Sequence, residues 1–121
     1  MPIRIRLLVV VAGLMGAAGV ATAAAGAHVS GGGFLPIAAN FLMIHAAAVV
    51  ALAAAAVAAG RRTFQVAAAL LAVGAIVFSG DLVARELLEI RLLPNAAPTG
   101  GVLMILGWLA TAVAAILARP R

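Results

Sequence analysis

The chain alternates between long apolar runs and short polar breaks. Four runs, residues 7–27, 40–59, 63–84 and 101–118, are almost free of charge. A bilayer core about 30 Å thick is crossed by about 20 residues of helix, which each run can supply. None alternates in polarity as a barrel strand would, and only a helix satisfies its own backbone in lipid. The pattern predicts an all-α membrane protein, a single domain over 1–121 whose four transmembrane helices form an antiparallel bundle.

The breaks between the runs predict how the helices connect. Residues 30–33, followed by Pro36, end the first run in a glycine-rich turn. Residues 60–62, Gly-Arg-Arg, leave so little chain that the second and third helices must be adjacent and antiparallel. Residues 94–101, with two prolines and two glycines, predict a linker before the fourth helix.

Composition narrows the class of protein. Apolar residues make up 67% of the chain and charged residues 9%, whereas soluble domains carry about 25% charged residues. The formal net charge is +5, but the arginines cluster at the ends of apolar runs and form no basic face, so we expect no nucleic-acid partner. Cysteine is absent, which excludes disulfides, cysteine-ligated metals and a thiol nucleophile.

The arginines also predict orientation. With four spans, six of the eight arginines fall on one side of the membrane: Arg4, Arg6, Arg61, Arg62, Arg119 and Arg121. The other two, Arg85 and Arg91, are interleaved with Glu86 and Glu89. The positive-inside rule then places both termini in the cytoplasm.

The first run has an alternative interpretation as a cleaved signal peptide, because two arginines precede it and alanines fill residues 23–27. At about 20 residues it is longer than a usual signal core of about 7–15, so we expect a retained helix. Gly13, Gly16 and Gly19 recur along it and predict a small-residue face for close helix packing.

Polar residues of three helices are expected at one level near the non-cytoplasmic face. His45 lies about 7 Å along the helix from Asn40, and the third helix returns to that face near Asp81. We call this set the polar level, and its members are His28, Asn40, His45, Ser79 and Asp81. Beyond it, a four-residue spacing lets Asp81, Arg85 and Glu89 pair along a helix that continues past the membrane to residue 91.

Three interpretations of the polar level remain open. It could hold the bundle together through hydrogen bonds across helices, form a proton or solute site around a histidine, or supply two histidines and a carboxylate to a metal. We favour the first, with His45 facing the bundle interior and bonded to polar groups of the first or third helix. We predict no catalytic residue, no metal ligand and no cofactor, and the sequence contains no known hydrolase or phosphate-binding motif.

Several short motifs together resemble one family. They are Gly-Ala-His at 26–28, Asn-Phe-Leu-Met-Ile-His at 40–45, Val-Phe-Ser-Gly at 77–80, Pro-Thr-Gly-Gly at 98–101 and Gly-Trp at 107–108. In this order they resemble the small four-helix membrane proteins of domain-of-unknown-function family 423, whose animal relatives include transmembrane protein 256. The chain departs from that pattern at Asp81, where the family usually has Ser, and at Val83, where it usually has Tyr. The resemblance implies four helices, residence in the inner (plasma) membrane and no established activity.

The functional prediction is a non-enzymatic accessory or assembly factor that acts through helix–helix contacts, because polar residues are too few for a substrate-sized pocket. Its expected partners are the lipid bilayer and other membrane proteins or further copies of itself. The alternative is an oligomeric component of a small-solute or proton transporter or channel, using His28, His45 and Asp81. Gly74 and Gly80 are the candidates for the broken helix that transporter sites often use.

Overall fold

The computed structural model describes residues 1–30 and 33–119 and contains four long helices. They are α1 (Ile3–Ala25), α2 (Leu35–Ala59), α3 (Arg62–Leu88) and α4 (Ala96–Leu117), and a π-helical turn (Gly26–Ser30) extends α1. Each is long and apolar enough to cross a membrane, and no strand occurs within the described residues. The predicted all-α fold with four membrane-spanning helices is confirmed.

Three helices begin four or five residues earlier than the apolar runs indicated. α1 starts at Ile3 instead of residue 7, α2 at Leu35 instead of residue 40, and α4 at Ala96 instead of residue 101. Pro36 and Pro98 therefore lie in the first turns of helices, where the missing N–H of proline has no intrahelical partner to lose. The expected linker at 94–101 is consequently helical over most of its length.

α3 is the central helix of the bundle. Consecutive helices pack against each other along their length, and α3 contacts both α2 and α4 and touches α1 lightly. Half of the most apolar stretch of α3 is buried (50%), against 22% for α4 and 17% for α1. α3 runs unbroken through Gly74 and Gly80, so the helix break considered there is wrong.

The α3–α4 crossing brings two backbones into direct contact. A Cβ added to Gly100 would lie 2.6 Å from the Phe78 nitrogen and 2.7 Å from the Gly74 oxygen, and one added to Gly107 would lie 2.6 Å from Leu71 Cδ2. At position 100 only glycine permits these distances, because the neighbouring atoms belong to the backbone of α3. Without a hydrophobic driving force in lipid, such close approach supplies the dispersion contacts that hold helices together.

The α1–α2 contact follows the same principle at Gly19, where a Cβ would lie 2.6 Å from Met43 Cγ. A Cβ at Gly16 would make an ordinary contact with Ala46, whereas one at Gly13 would meet no atom within 4 Å. The predicted small-residue face of α1 is therefore confirmed at Gly16 and Gly19 and wrong at Gly13.

The connections fix which end of the bundle carries which charge. Gly60 ends α2 in a left-handed conformation (φ 63°), and Arg61 leads directly into α3. α3 ends at Leu88, before the predicted residue 91, because Glu89 turns the chain with φ 55°. We call the end at which α1 begins and α4 ends the terminal end. The acidic residues lie at the opposite end.

Candidate functional site

The structure separates the five residues of the polar level into two groups. His45, Ser79 and Asp81 are buried, whereas His28 and Asn40 are exposed. The buried three belong to α2 and α3, and each has its own hydrogen-bond partner. They are therefore three local arrangements rather than one joined cluster.

His45 is held between its own helix and α4. Its Nδ1 lies 2.8 Å from the Phe41 carbonyl oxygen, and Trp108 donates its Nε1–H to His45 Nε2 over 3.1 Å. The two rings meet edge to face at a centroid distance of 5.7 Å, and the Phe41 ring lies nearly parallel to the imidazole, also at a centroid distance of 5.7 Å. The imidazole thus bridges α2 and α4 within an aromatic setting.

These contacts select one form of the ring. Nε2 accepts from Trp108, so it carries no proton, and Nδ1 must be the donor to the Phe41 carbonyl. A doubly protonated ring would direct an N–H at the indole N–H and lose that bond. The arrangement therefore suits a neutral imidazole with a structural role.

The interior placement expected for His45 is confirmed by its burial, but the expected partner is wrong. The cross-helix partner is Trp108 of α4, not a polar group of the first or third helix. Indole is neither ionisable nor a hydroxyl group and offers only a donor, so the predicted polar level did not include Trp108. The sequence did offer a signal, because Trp108 is the sole tryptophan and belongs to the Gly-Trp motif.

Ser79 joins α3 to the first turn of α2. Its hydroxyl donates to the Ala38 carbonyl oxygen over 3.0 Å, and the residue is fully buried. Thr22 and Thr111 bond inside their own helices, to the carbonyl oxygens of Ala18 and Gly107. The Thr63 hydroxyl, in the first turn of α3, is buried and has no hydrogen-bond partner among the described residues.

Asp81 organises the connection between α3 and α4. It is fully buried, and its Oδ1 accepts from the Leu92 N–H over 3.1 Å. Its Oδ2 lies 2.7 Å from an Arg85 guanidinium nitrogen, one helical turn away. The predicted pairing of Asp81 with Arg85 is confirmed.

A second acidic residue supports the same end of the bundle. The carboxylate of Glu86 fills the space beside Gly33, where any Cβ would overlap it. Gly33 also has φ 70°, a conformation that other residues rarely adopt. The residues that enter α2 and the last turns of α3 are thereby fitted to each other.

A metal site would need several ligating side chains in one place. Over residues 1–30 and 33–119, no group of three or more His, Asp or Glu side chains comes together. Instead, His45, Ser79 and Asp81 each bridge two segments of the chain, as structural cross-links do.

Comparison with known proteins agrees with this architecture. The family model described as "Protein of unknown function (DUF423)" matches residues 15–101. The chain belongs to this family. Two membrane proteins of Staphylococcus epidermidis are similar to part of it, the UPF0382 membrane protein SERP0230 of strain RP62A and a UPF0382 membrane protein of strain FDA PCI 1200. Each is 42% identical over 50 residues, which cover 41% of this chain and 41% of the relative.

The chain therefore spans less than half the length of the curated relatives that it matches. No solved structure matches it significantly. The names of the relatives describe membrane proteins and state no activity, in keeping with four apolar helices.

Several motif residues of this DUF423 protein have a defined structural task. Ser79 bonds to α2, and Gly100 admits the backbone of α3. Gly107 makes room for Leu71, and Trp108 bonds to His45. Gly107 and Trp108 lie beyond the matched segment 15–101. These four motif residues thus lie at contacts that join the helices.

Proposed function

We propose that this DUF423 protein is a non-enzymatic accessory or assembly factor of the inner membrane that acts through helix–helix contacts. The observation that carries the proposal is the one-sided packing of α4. This helix packs mainly on α3 and is otherwise turned outward. A helix at the open edge of a bundle can add a further helix without rearrangement of the rest.

The outward side of α4 has the form of a helix-packing surface. Five of its exposed residues recur every three or four positions and form a stripe, which we call the α4 outer face: Val102, Ile105, Leu109, Val113 and Ile116. Each is between 52% and 81% exposed. The stripe is made of aliphatic side chains, which can pack against a second membrane helix through van der Waals contacts.

The internal bonds of the polar residues favour this function over transport. A proton or solute path needs polar groups that exchange partners along the membrane. In this chain His45 is bonded to Trp108, Ser79 to the Ala38 carbonyl, and Asp81 to Arg85 and the Leu92 N–H. Each group joins two segments of the fold, which supports a structural role.

Site-specific photo-crosslinking in native membranes tests the proposal. A photoreactive residue replaces Val102, Leu109 or Ile116, which lie seven positions apart on the α4 outer face. Ile37 and Ile44, also seven apart and exposed on α2, are the matched controls. We expect one discrete protein adduct shared by the three α4 positions and absent from the two α2 positions.

The identity of the adduct decides between a second copy of the chain and another membrane protein, and either supports the proposal. Absence of any protein adduct from all three α4 positions would contradict it. So would proton flux in proteoliposomes of the purified protein that His45→Gln abolishes, because that result supports the transporter alternative.

A further inference from the structure

A long apolar groove lies between α1 and α3, on a different side of the bundle from the α4 outer face. It consists of two cavities of about 440 and 450 Å³ that share Val11 and Ile76 in their walls. One reaches Thr22 and Ser79 at the end opposite the termini, and the other reaches Arg4 and Gln65 at the terminal end. The two cavities adjoin at the shared Val11 and Ile76, and both are open on their outer side.

The groove exists because α1 and α3 touch only lightly while both pack on α2. On α3, Ala69 and Ala72 line its terminal half, and their short side chains leave the space that larger residues would fill. The opposite wall is formed by Leu7, Leu8 and Val11 of α1. Atoms along such a wall gain dispersion contacts from an apolar occupant that follows the shape of the groove.

The dimensions of the terminal half suit one hydrocarbon chain. From Gln65 to Ile76, α3 rises about 16 Å, roughly half of a bilayer core about 30 Å thick. A cavity of about 450 Å³ over that length is narrower than a helix, whose diameter is about 10–12 Å. The cavity therefore matches the depth of one leaflet and the width of an acyl chain rather than of another helix.

Arginines lie in and next to the terminal half of the groove. Arg4 lines the groove, and Gln65 lines both the groove and a neighbouring cavity of about 280 Å³. Arg61 and Arg62 line that second cavity. The three carboxylate side chains of the sequence belong to Asp81, Glu86 and Glu89 at the opposite end, so none of them neutralises these arginines.

We propose that the terminal half of the α1–α3 groove binds an anionic phospholipid. Its acyl chain lies along the groove, and its phosphate lies among Arg4, Arg61 and Arg62, with Gln65 as a neutral donor between the two cavities. Guanidinium groups bind phosphate through paired N–H donors, and basic pockets between membrane helices favour anionic headgroups. The proposal holds whether or not α4 binds a protein.

The preference for an anionic headgroup can be tested by measuring lipid binding to the full chain in detergent. Native mass spectrometry and the shift in unfolding temperature both report this binding. Phosphatidylglycerol should bind and stabilise, and phosphatidylcholine with the same acyl chains should do so at least tenfold more weakly. Removing each arginine, as in Arg4→Gln, should weaken phosphatidylglycerol binding about fivefold. The control Arg6→Gln removes an exposed charge that lines neither cavity and should change binding less than twofold.

A second arm tests the acyl chain. Ala69→Leu places a larger side chain in the groove and should weaken phosphatidylglycerol binding at least fivefold, whereas Ala51→Leu, on the exposed side of α2, should not. Inorganic phosphate alone should not stabilise the protein. Equal binding of the two lipids, equal effects of Arg4→Gln and Arg6→Gln, stabilisation by free phosphate, or a crosslink at Ala69 to a second copy of the chain would each overturn the proposal.

Discussion

Polar side chains inside a membrane are tolerated when each has a partner, because an unsatisfied group there costs several kcal/mol. In this chain the partners are a side chain for His45, a backbone carbonyl for Ser79, and a backbone N–H with a guanidinium for Asp81. The bonds of His45 and Ser79 link helices that are distant in sequence, and those of Asp81 link α3 to itself and to the segment that follows it. At the scale of single residues, polarity here serves to align helices.

The bond between His45 and Trp108 predicts a measurable coupling between the two positions. We expect His45→Ala and Trp108→Phe each to lower the free energy of unfolding in detergent, since either change removes the bond. In a double-mutant cycle the coupling should be about 0.6 kcal/mol, the average for polar pairs between membrane helices. Additive effects of the two substitutions would mean that the bond contributes nothing to stability.

Asp81 makes two contacts that its substitutions can separate. Asp81→Asn keeps an oxygen for the Leu92 N–H and loses the ion pair with Arg85, whereas Asp81→Ala loses both. We expect Asp81→Ala to lower the unfolding free energy by about 1 kcal/mol more than Asp81→Asn, the usual contribution of one hydrogen bond. Asp81→Ala should also speed proteolysis of the segment between α3 and α4, which begins at residue 89. Identical losses in the two variants would contradict a role for the Leu92 bond.

At the scale of the elements, the stability of the bundle depends on how closely its helices approach. Gly74 and Gly100 face each other across the α3–α4 contact, and Gly19 has the same position between α1 and α2. Gly101, one residue on from Gly100, has open space around its Cβ position. Of these two neighbouring glycines, only Gly100 is needed for the close packing of α3 and α4.

Substitution by alanine should distinguish these two glycines. In Gly100→Ala the new methyl group meets backbone atoms of α3 that cannot move aside locally, so the helices must separate. We expect a loss of about 1–3 kcal/mol in the free energy of unfolding. Gly101→Ala is the control and should be neutral or stabilising by up to about 1 kcal/mol, because alanine favours helix. Thermal unfolding in detergent checks both, and equal effects would refute the close contact.

At the scale of the whole molecule, hydropathy and length were enough to predict four spans and their order. Burial could be predicted in part, because residue count along a helix gives depth in the membrane but not rotation about the helix axis. His28 and Asn40 were expected near His45 in depth, yet they face outward. The pairing of His45 with Trp108 depends on that rotation and on the α3–α4 crossing, which hydropathy does not encode.

Reporter fusions determine whether the chain crosses the membrane four times with both termini in the cytoplasm. Fusions to complementary reporters for the cytoplasm and for the outer side are made after Arg121, after Arg62 and near Gly32. We expect a cytoplasmic signal at Arg121 and Arg62 and the opposite signal near Gly32, because six of the eight arginines lie at the ends of the apolar runs on the same side as the termini. A non-cytoplasmic signal at Arg121, or the same side for Arg121 and Gly32, would contradict it.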